Sequence, residues 1–301
     1  AYERLTALQE RYPMRGIKGP VGTAQDSIDL LGTSEAHHAL EQAISKELGF
    51  SNVLDSTGQI YPRSFDYDVL TTLVQLAAAP SNLATSIRLM AGAELVTEGF
   101  KQGQVGSSAM PHKMNTRSCE RVNGLAVVLR GYASMISELS GNQWNEGDVS
   151  CSVVRRVALA DSFYAFDGLM ETILTVLDEF GTFPALINAE LERQLPFLAT
   201  TKILMAAVKA GVGREVAHEV IKEHAVKATI ATREGKANTF FDDVAADSRI
   251  PLDRTSLNSL IGQPLDFAGD AQQQVVRVVN RVNAITNNFK EASQYSADSI
   301  R

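Results

Sequence analysis

Cysteine is scarce. Two thiols, Cys119 and Cys151, stand in 301 residues, with neither CxxC spacing nor the density of a disulfide scaffold, so both are read as reduced thiols of a cytoplasmic protein. Apolar runs are short, and none approaches the ~20 residues a membrane helix needs. Positive charge is also in deficit: 28 Lys and Arg against 35 Asp and Glu leave a net charge of -7. That balance speaks against nucleic acid or an anionic membrane as partner, and any anion must be held by a few placed cations. Strand signals are nearly missing, because β-branched residues recur at helical spacing and no Asn-Gly or Asp-Gly pair sits between alternating segments.

What remains reads as all-α: a bundle of long helices with a smaller helical carboxyl-terminal domain. With 45% apolar residues the chain can bury a large core, and at ~150 residues per domain its length suggests two. A helix is predicted from Ser34, as N-cap, to Leu48, ended by Gly49. A second runs from Asp66 to about Phe100 with a kink at Pro80, and others span Thr116 to Leu139 and Val153 to Phe180. These exceed the ~11 to 12 residues of an average helix and point to long parallel rods. Val122 to Leu129 is apolar almost all round, which predicts burial on most sides and a homo-oligomer. Gly211-Val-Gly213 is taken as the break between a bundle domain, 1–209, and a carboxyl-terminal domain, 210–301, with helices at Arg214 to Ala231 and Gly269 to Lys290. Ala1 falls inside an amphipathic pattern, so the chain reads as the continuation of a longer polypeptide.

One stretch has a chemistry that packing does not explain. From Gly106 to Arg121 the chain reads Gly-Ser-Ser-Ala-Met-Pro-His-Lys-Met-Asn-Thr-Arg-Ser-Cys-Glu-Arg, crowding two hydroxyls (Ser107, Ser108), Lys113, Asn115, Arg117 and Arg121 around Gly106 and Pro111. A serine hydroxyl becomes a useful base only where positive charge and donors favour its alkoxide, and Lys113, six residues on, is the candidate. Gly103 and Gly106 suit a lid that closes over substrate. The alternative is a Ser/Gly-rich interhelix connection in which Asn115 or Thr116 caps the next helix and the basic residues lie in solvent.

The run Ser107-Ser108-x-Met110-Pro111-x-Lys113-x-Asn115, with Glu120-Arg121 behind it, resembles the signature loop of the aspartase/fumarase superfamily, and its Met-Pro-His-Lys variant is most similar to the adenylosuccinate lyase family. The resemblance implies a carbon–nitrogen lyase that β-eliminates fumarate from adenylosuccinate, giving AMP, and from the succinyl-carboxamide ribotide of purine synthesis. Ser107 would take the Cβ proton, and Lys113 with Asn115 would contact the substrate carboxylates and stabilise the carbanion. Ser108, Met110 and Arg121 would bind substrate. Upstream, Thr57-Gly58-Gln59 resembles the loop whose glutamine meets the substrate; a polar turn is the other reading of Gln59. Downstream, Trp144 to Arg156 resembles the segment that holds the nucleotide phosphate. There Ser152 and Arg156 fall on the family's positions, with an N-cap and a solvated charge as the plain alternatives.

Two departures accompany the likeness. Gly147 stands where many relatives have arginine, so Arg155 or another subunit would share the phosphate. The family's general-acid histidine belongs before Arg15-Gly-Ile-Lys-Gly-Pro-Val-Gly-Thr23, outside these 301 residues. His37, His38, His218 and His224 read as core or surface residues, and His112 as an orienting or substrate contact. No His/Cys cluster of metal spacing occurs. The family implies a homotetramer whose sites draw on three subunits, a small-molecule nucleotide substrate and no cofactor. Argininosuccinate lyase, carboxymuconate cycloisomerase or an inactive structural member are the alternatives, and the Met-Pro-His-Lys run with Ser152 and Arg156 speaks against the first two.

Overall fold

The computed structural model describes residues 1–99, 110, 112–142 and 149–297. Residues 1–182, with 296–297, form one compact unit and Phe183–Tyr295 a second. The first opens with α1 (Tyr2–Arg11), α2 (Gln25–Leu31) and α3 (Ser34–Glu47), followed by three long rods: α4 (Ser64–Gly92), α5 (Arg117–Ser137) and α6 (Val149–Glu179). The strand content named among the described residues is one antiparallel pair, β1 (Val96–Thr97) with β2 (Gly181–Thr182), besides an isolated bridge between Met14 and Val53. No described helix is long and apolar enough to cross a membrane.

The rods form because each carries a repeating apolar stripe, and they pack because those stripes face one another. Leu73, Ala77, Ala84 and Ile87 of α4, Cys119, Val122, Ala126 and Leu129 of α5, and Ala165, Leu169, Ile173 and Val176 of α6 make one continuous core. Ala84, Val122 and Leu169 are fully buried, so small and large side chains interdigitate along the stack. A smaller cluster of Leu70, Ala133, Ile136, Leu139, Cys151 and Ala158 closes the other end. Polar contacts fix the register: Asn123 Nδ2 donates to Ser81 O at 2.8 Å and Ser81 Oγ at 3.0 Å, and Leu125 lies against Gly168. α5 therefore runs antiparallel to both neighbours. The beginning of α4, the end of α5 and the beginning of α6 share one end of the bundle. The end of α4, the beginning of α5 and the end of α6, with its β1–β2 clasp, share the other.

The second unit comprises α7 (Pro184–Leu198), α8 (Thr200–Lys209), α9 (Arg214–Arg233), α10 (Phe240–Ala245), α11 (Arg254–Ile261), a 3-10 turn at Pro264–Phe267, α12 (Ala271–Thr286) and α13 (Lys290–Gln294). Ala199, Ile203 and Ala207 pack with Ala217, Val220, Phe240 and Leu257 in its core.

Several boundaries move from their sequence positions for identifiable reasons. Thr33, not Ser34, is the N-cap of α3, its Oγ1 accepting from Ala36 N at 3.1 Å. α6 begins at Val149, four residues before the expected start. The division between compact units falls at Thr182/Phe183 instead of 209/210. Gly211 is the left-handed turn between α8 and α9, φ +94°, and the α8 side chains already belong to the second core. The α4 helix continues through Pro80 to Gly92 as one element.

Replacement of Leu169, 0% exposed, by alanine leaves a cavity between the three rods and lowers unfolding free energy by about 2–5 kcal/mol. Leu30→Ala, at a side chain 85% exposed, changes it by less than ~0.5 kcal/mol. Urea titration of both variants makes the comparison.

Candidate active site

The loop that carries Gln59 rests on a rigid platform. Gly22 has φ +80°, and a Cβ there would stand 2.0 Å from Thr57 O, so only glycine lets the two segments touch. Arg15 closes the contact from the other side: its Nη2 donates to Gly19 O at 2.8 Å and to Gly58 O, next to Gln59. Beneath them Lys18 and Glu41 form a buried ion pair at 2.7 Å, and Glu41 Oε1 also accepts from Ile17 N at 3.0 Å. The Gly-rich segment is thus a folded clamp that holds Thr57–Gly58–Gln59 at the surface, where Gln59 is exposed.

Two residues beyond Gln59 begins a second network, centred on Asp66, which is 2% exposed. Its Oδ1 accepts from Tyr61 Oη at 2.7 Å and its Oδ2 from Arg155 Nε at 2.6 Å, while Arg155 Nη2 reaches Tyr61 Oη at 2.6 Å. Burial, reinforced by the neighbouring Asp66 charge and its hydrogen bond, pushes the Tyr61 phenol well above its ordinary range. Burial alone would weaken the charge of Arg155, but its bond to Asp66 outweighs this and keeps the guanidinium's pKa raised. Arg63 stacks over the Tyr61 ring at 4.6 Å, donates through Nε to Cys151 Sγ at 3.0 Å and holds Nη1 3.8 Å from Asp66 Oδ2. One buried carboxylate therefore joins the Gln59 loop, the first turn of α4 and the first turns of α6.

Arg155, offered by the sequence as a residue that would share the phosphate, engages Asp66 and Tyr61 through Nε and Nη2. Arg156, the next residue, is exposed, as is Ser152 in the first turn of α6. Ser152 lies inside the helix and is not its N-cap. Four residues apart, Ser152 and Arg156 share one helix face in the first turns of α6. A hydroxyl, a guanidinium and a helix N-terminus together suit an anion.

The signature run is described only in part. Ser107 and Ser108 lie outside the described residues, as do Gly103, Gly106, Pro111, Trp144 and Gly147. Met110 and Lys113 are exposed, Asn115 is half-buried, and Lys113 N donates to Met110 O at 3.0 Å. Arg121 is exposed in the second turn of α5. Neither Asn115 nor Thr116 caps that helix: Thr116 holds the N-cap position without a side-chain bond, and Glu98 does the work, Oε1 accepting from Ser118 N at 3.0 Å and Oε2 from Cys119 N at 2.9 Å.

Within one chain these two groups are far apart. Leu125 packs against Gly168, so Arg121, one turn earlier, lies level with about Thr172 on α6. From there to Ser152 is twenty residues of α6, or about 30 Å at ~1.5 Å per residue. The structure brings Gln59, Ser152 and Arg156 to one end of the bundle and leaves Lys113, Asn115 and Arg121 at the other. The histidines have local partners or face solvent: His37 Nδ1 meets Ser27 Oγ at 2.8 Å, His224 Nε2 meets Asp247 Oδ2 at 2.9 Å, and His38, His112 and His218 are exposed. Among the described residues no group of three His, Cys, Asp or Glu could hold a metal.

Sequence reasoning missed Arg15, Lys18, Glu41, Tyr61, Arg63, Asp66 and Glu98. A signal existed for some of them. Asp66 sits one turn before Val69 and Leu70 on the apolar side of a helical pattern, where a carboxylate needs a buried partner.

Residues 196–278 match the family model described as adenylosuccinate lyase C-terminus, and residues 22–131 the model described as lyase. Adenylosuccinate lyase of Saccharomyces cerevisiae is 35% identical over 270 residues, covering 89% of this chain and 56% of the relative. That of Schizosaccharomyces pombe is 33% identical over 272 residues, with 89% and 56% covered, and that of Pyrococcus horikoshii 32% over 286, with 93% and 60%. The chain thus spans somewhat over half the length of these relatives. In fold it is similar to a fumarate lyase from a Mesorhizobium species (TM-score 0.73, 18% identity, 92% of this chain and 59% of that one). A 3-carboxy-cis,cis-muconate lactonizing enzyme from Pseudomonas putida is likewise similar (TM-score 0.74, 17% identity, 94% and 60%).

Asp66→Ala strands Arg155 and Arg63 without their carboxylate, and unfolding free energy falls by about 3 kcal/mol. Urea denaturation checks this, and a loss below ~1 kcal/mol would show that Asp66 does not hold the network together.

Proposed function

We propose, from the premise that this chain belongs to the adenylosuccinate lyase family, that it supplies the central and carboxyl-terminal parts of a cytoplasmic enzyme that releases fumarate from adenylosuccinate and from the succinyl-carboxamide ribotide. The observation that carries this reading is the partition of candidate residues between the two ends of the bundle. The substrate is itself two-ended, a dicarboxylate joined through nitrogen to a nucleotide. Lys113, Asn115 and Arg121 suit the dicarboxylate end, and Ser152 with Arg156, at the same end of the bundle as Gln59, the phosphate.

In this reading Ser107 removes the Cβ proton as its bond electrons form the new alkene, the Cα–N bond breaks, and the departing nitrogen takes a proton from an acid. Lys113 and Asn115 stabilise the negative charge that builds on the neighbouring carboxylate, and Ser108, Met110 and Arg121 hold the substrate.

A distance of about 30 Å is too long for one small substrate to bridge, so the two groups act together only when a second copy lies antiparallel to the first. The flanks of α5 and α6 suit such packing: Val127, Val128, Val157, Phe163 and Tyr164 are exposed, a concentration of apolar surface that solvent does not favour. A homotetramer built on this bundle is the assembly we infer.

The 301 residues alone are expected to turn over slowly, and joining them to an amino-terminal segment that supplies the general acid is expected to restore fumarate release, measured with succinyl-nucleotide and succinyl-arginine substrates. Activity confined to the arginine compound would end this reading. In the completed enzyme Ser107→Ala removes most turnover without changing assembly. A second experiment mixes Ser107→Ala with Arg156→Ala: each is inactive alone, and co-assembly returns about one quarter of the sites, since random pairing gives that share an intact residue of each kind. No recovery on mixing would mean that both residues must come from the same chain.

A further inference from the structure

Glu98 is buried, 3% exposed, and stands directly after β1. Its own place is fixed. β1 is hydrogen-bonded to β2 directly after α6, Gly99 N donates to Thr97 Oγ1 at 3.2 Å, and Gly99 takes φ +98° where a Cβ would stand 2.6 Å from Glu179 Cβ. The start of α5 is held by the same residue. Both carboxylate oxygens of Glu98 accept backbone N–H groups of the first turn of α5, Ser118 at 3.0 Å and Cys119 at 2.9 Å. These donors belong to the leading turn, whose N–H groups have no intrahelical acceptor, and the negative charge opposes the positive end of the helix dipole. Bonds of this kind, charge-assisted and shielded from water, are stronger than neutral ones.

Resting on the lyase reading above, we propose that Glu98 is the positioning residue of the fumarate-binding half of the site. It touches no substrate. It sets where α5 begins, and with that the direction of Arg121 in the second turn and the place at which the run from Lys113 to Asn115 enters the helix. Thr116, the N-cap position, makes no side-chain bond of its own, so the helix start depends on a residue about twenty positions upstream. The phosphate half, with Ser152 and Arg156 at the far end of α6, has no part in this clamp. The two halves of the site are therefore separable by a single substitution.

The test uses Glu98→Gln in the completed enzyme, with the inhibition constants of fumarate and of AMP measured against the succinyl-nucleotide substrate. Glutamine keeps the size but offers one acceptor oxygen to two N–H donors. The expected result is a kcat at least tenfold lower and a fumarate inhibition constant about tenfold higher, with the AMP constant within about twofold of the parent. A variant that merely lost active protein would lower turnover and move neither constant. Glu98→Asp, which keeps the charge but shortens the reach, falls between parent and glutamine variant, and it decides on the same two constants if Glu98→Gln does not assemble. Parallel weakening of fumarate and AMP, or no change in the fumarate constant, overturns the assignment. A parent enzyme without turnover overturns the lyase reading itself, a different outcome from an active parent whose glutamine variant behaves like it.

Discussion

The antiparallel course of α5 between α4 and α6 governs where every chemically interesting side chain can be. Its register is locked by apolar interdigitation from Leu73 to Val176 and by the Asn123 amide on Ser81. Once that register is set, the first turn of α5 lies at the end of the bundle that carries the β1–β2 clasp, and the first turn of α6 beside Tyr61 and Asp66. Two small chemical neighbourhoods result, each backed by its own buried carboxylate. Neither can be repositioned without disturbing a core of fully buried Ala, Val and Leu side chains that has no slack.

Burying a charge is costly unless it is paired and hydrogen-bonded, and this chain does so at Glu41, Asp66 and Glu98. In each case the carboxylate joins segments distant in sequence. Glu41 ties α3 to the Gly-rich segment through Lys18 and Ile17 N; Asp66 ties the Gln59 loop to α6; Glu98 ties β1 to α5. Apolar contacts give the bundle its stability, while these carboxylates give particular loops a single position on it. That division explains why the exposed residues Gln59, Lys113, Ser152 and Arg156 can be held in place by residues that are themselves hidden.

Much of the fold was legible from periodicity. The three rods, the helix at Arg214 and the near-absence of strands all follow from apolar spacing at 3.6 residues, and the family was legible in the unusual crowding of Ser107 to Arg121. Boundaries were less so. Thr33 displaced Ser34 as a cap because both are good caps and only the three-dimensional turn decides between them. Gly211 looked like a domain break because a left-handed glycine reads the same way within a unit as between units. The role of Arg155 was hidden for a different reason: its partner, Asp66, lies 89 residues away, and pairing at that distance leaves no local pattern.

Helices laid side by side interlock in steps of a turn, about 5.4 Å. Under the proposed assembly, two copies that slipped by one such step would keep much of their apolar contact and yet shift each phosphate group relative to the opposing dicarboxylate group by roughly the length of a succinyl unit. The flank residues Val127, Phe163 and Tyr164 would then be under the same geometric tolerance as Lys113 or Arg156. Interface and active site in such a molecule drift together or not at all.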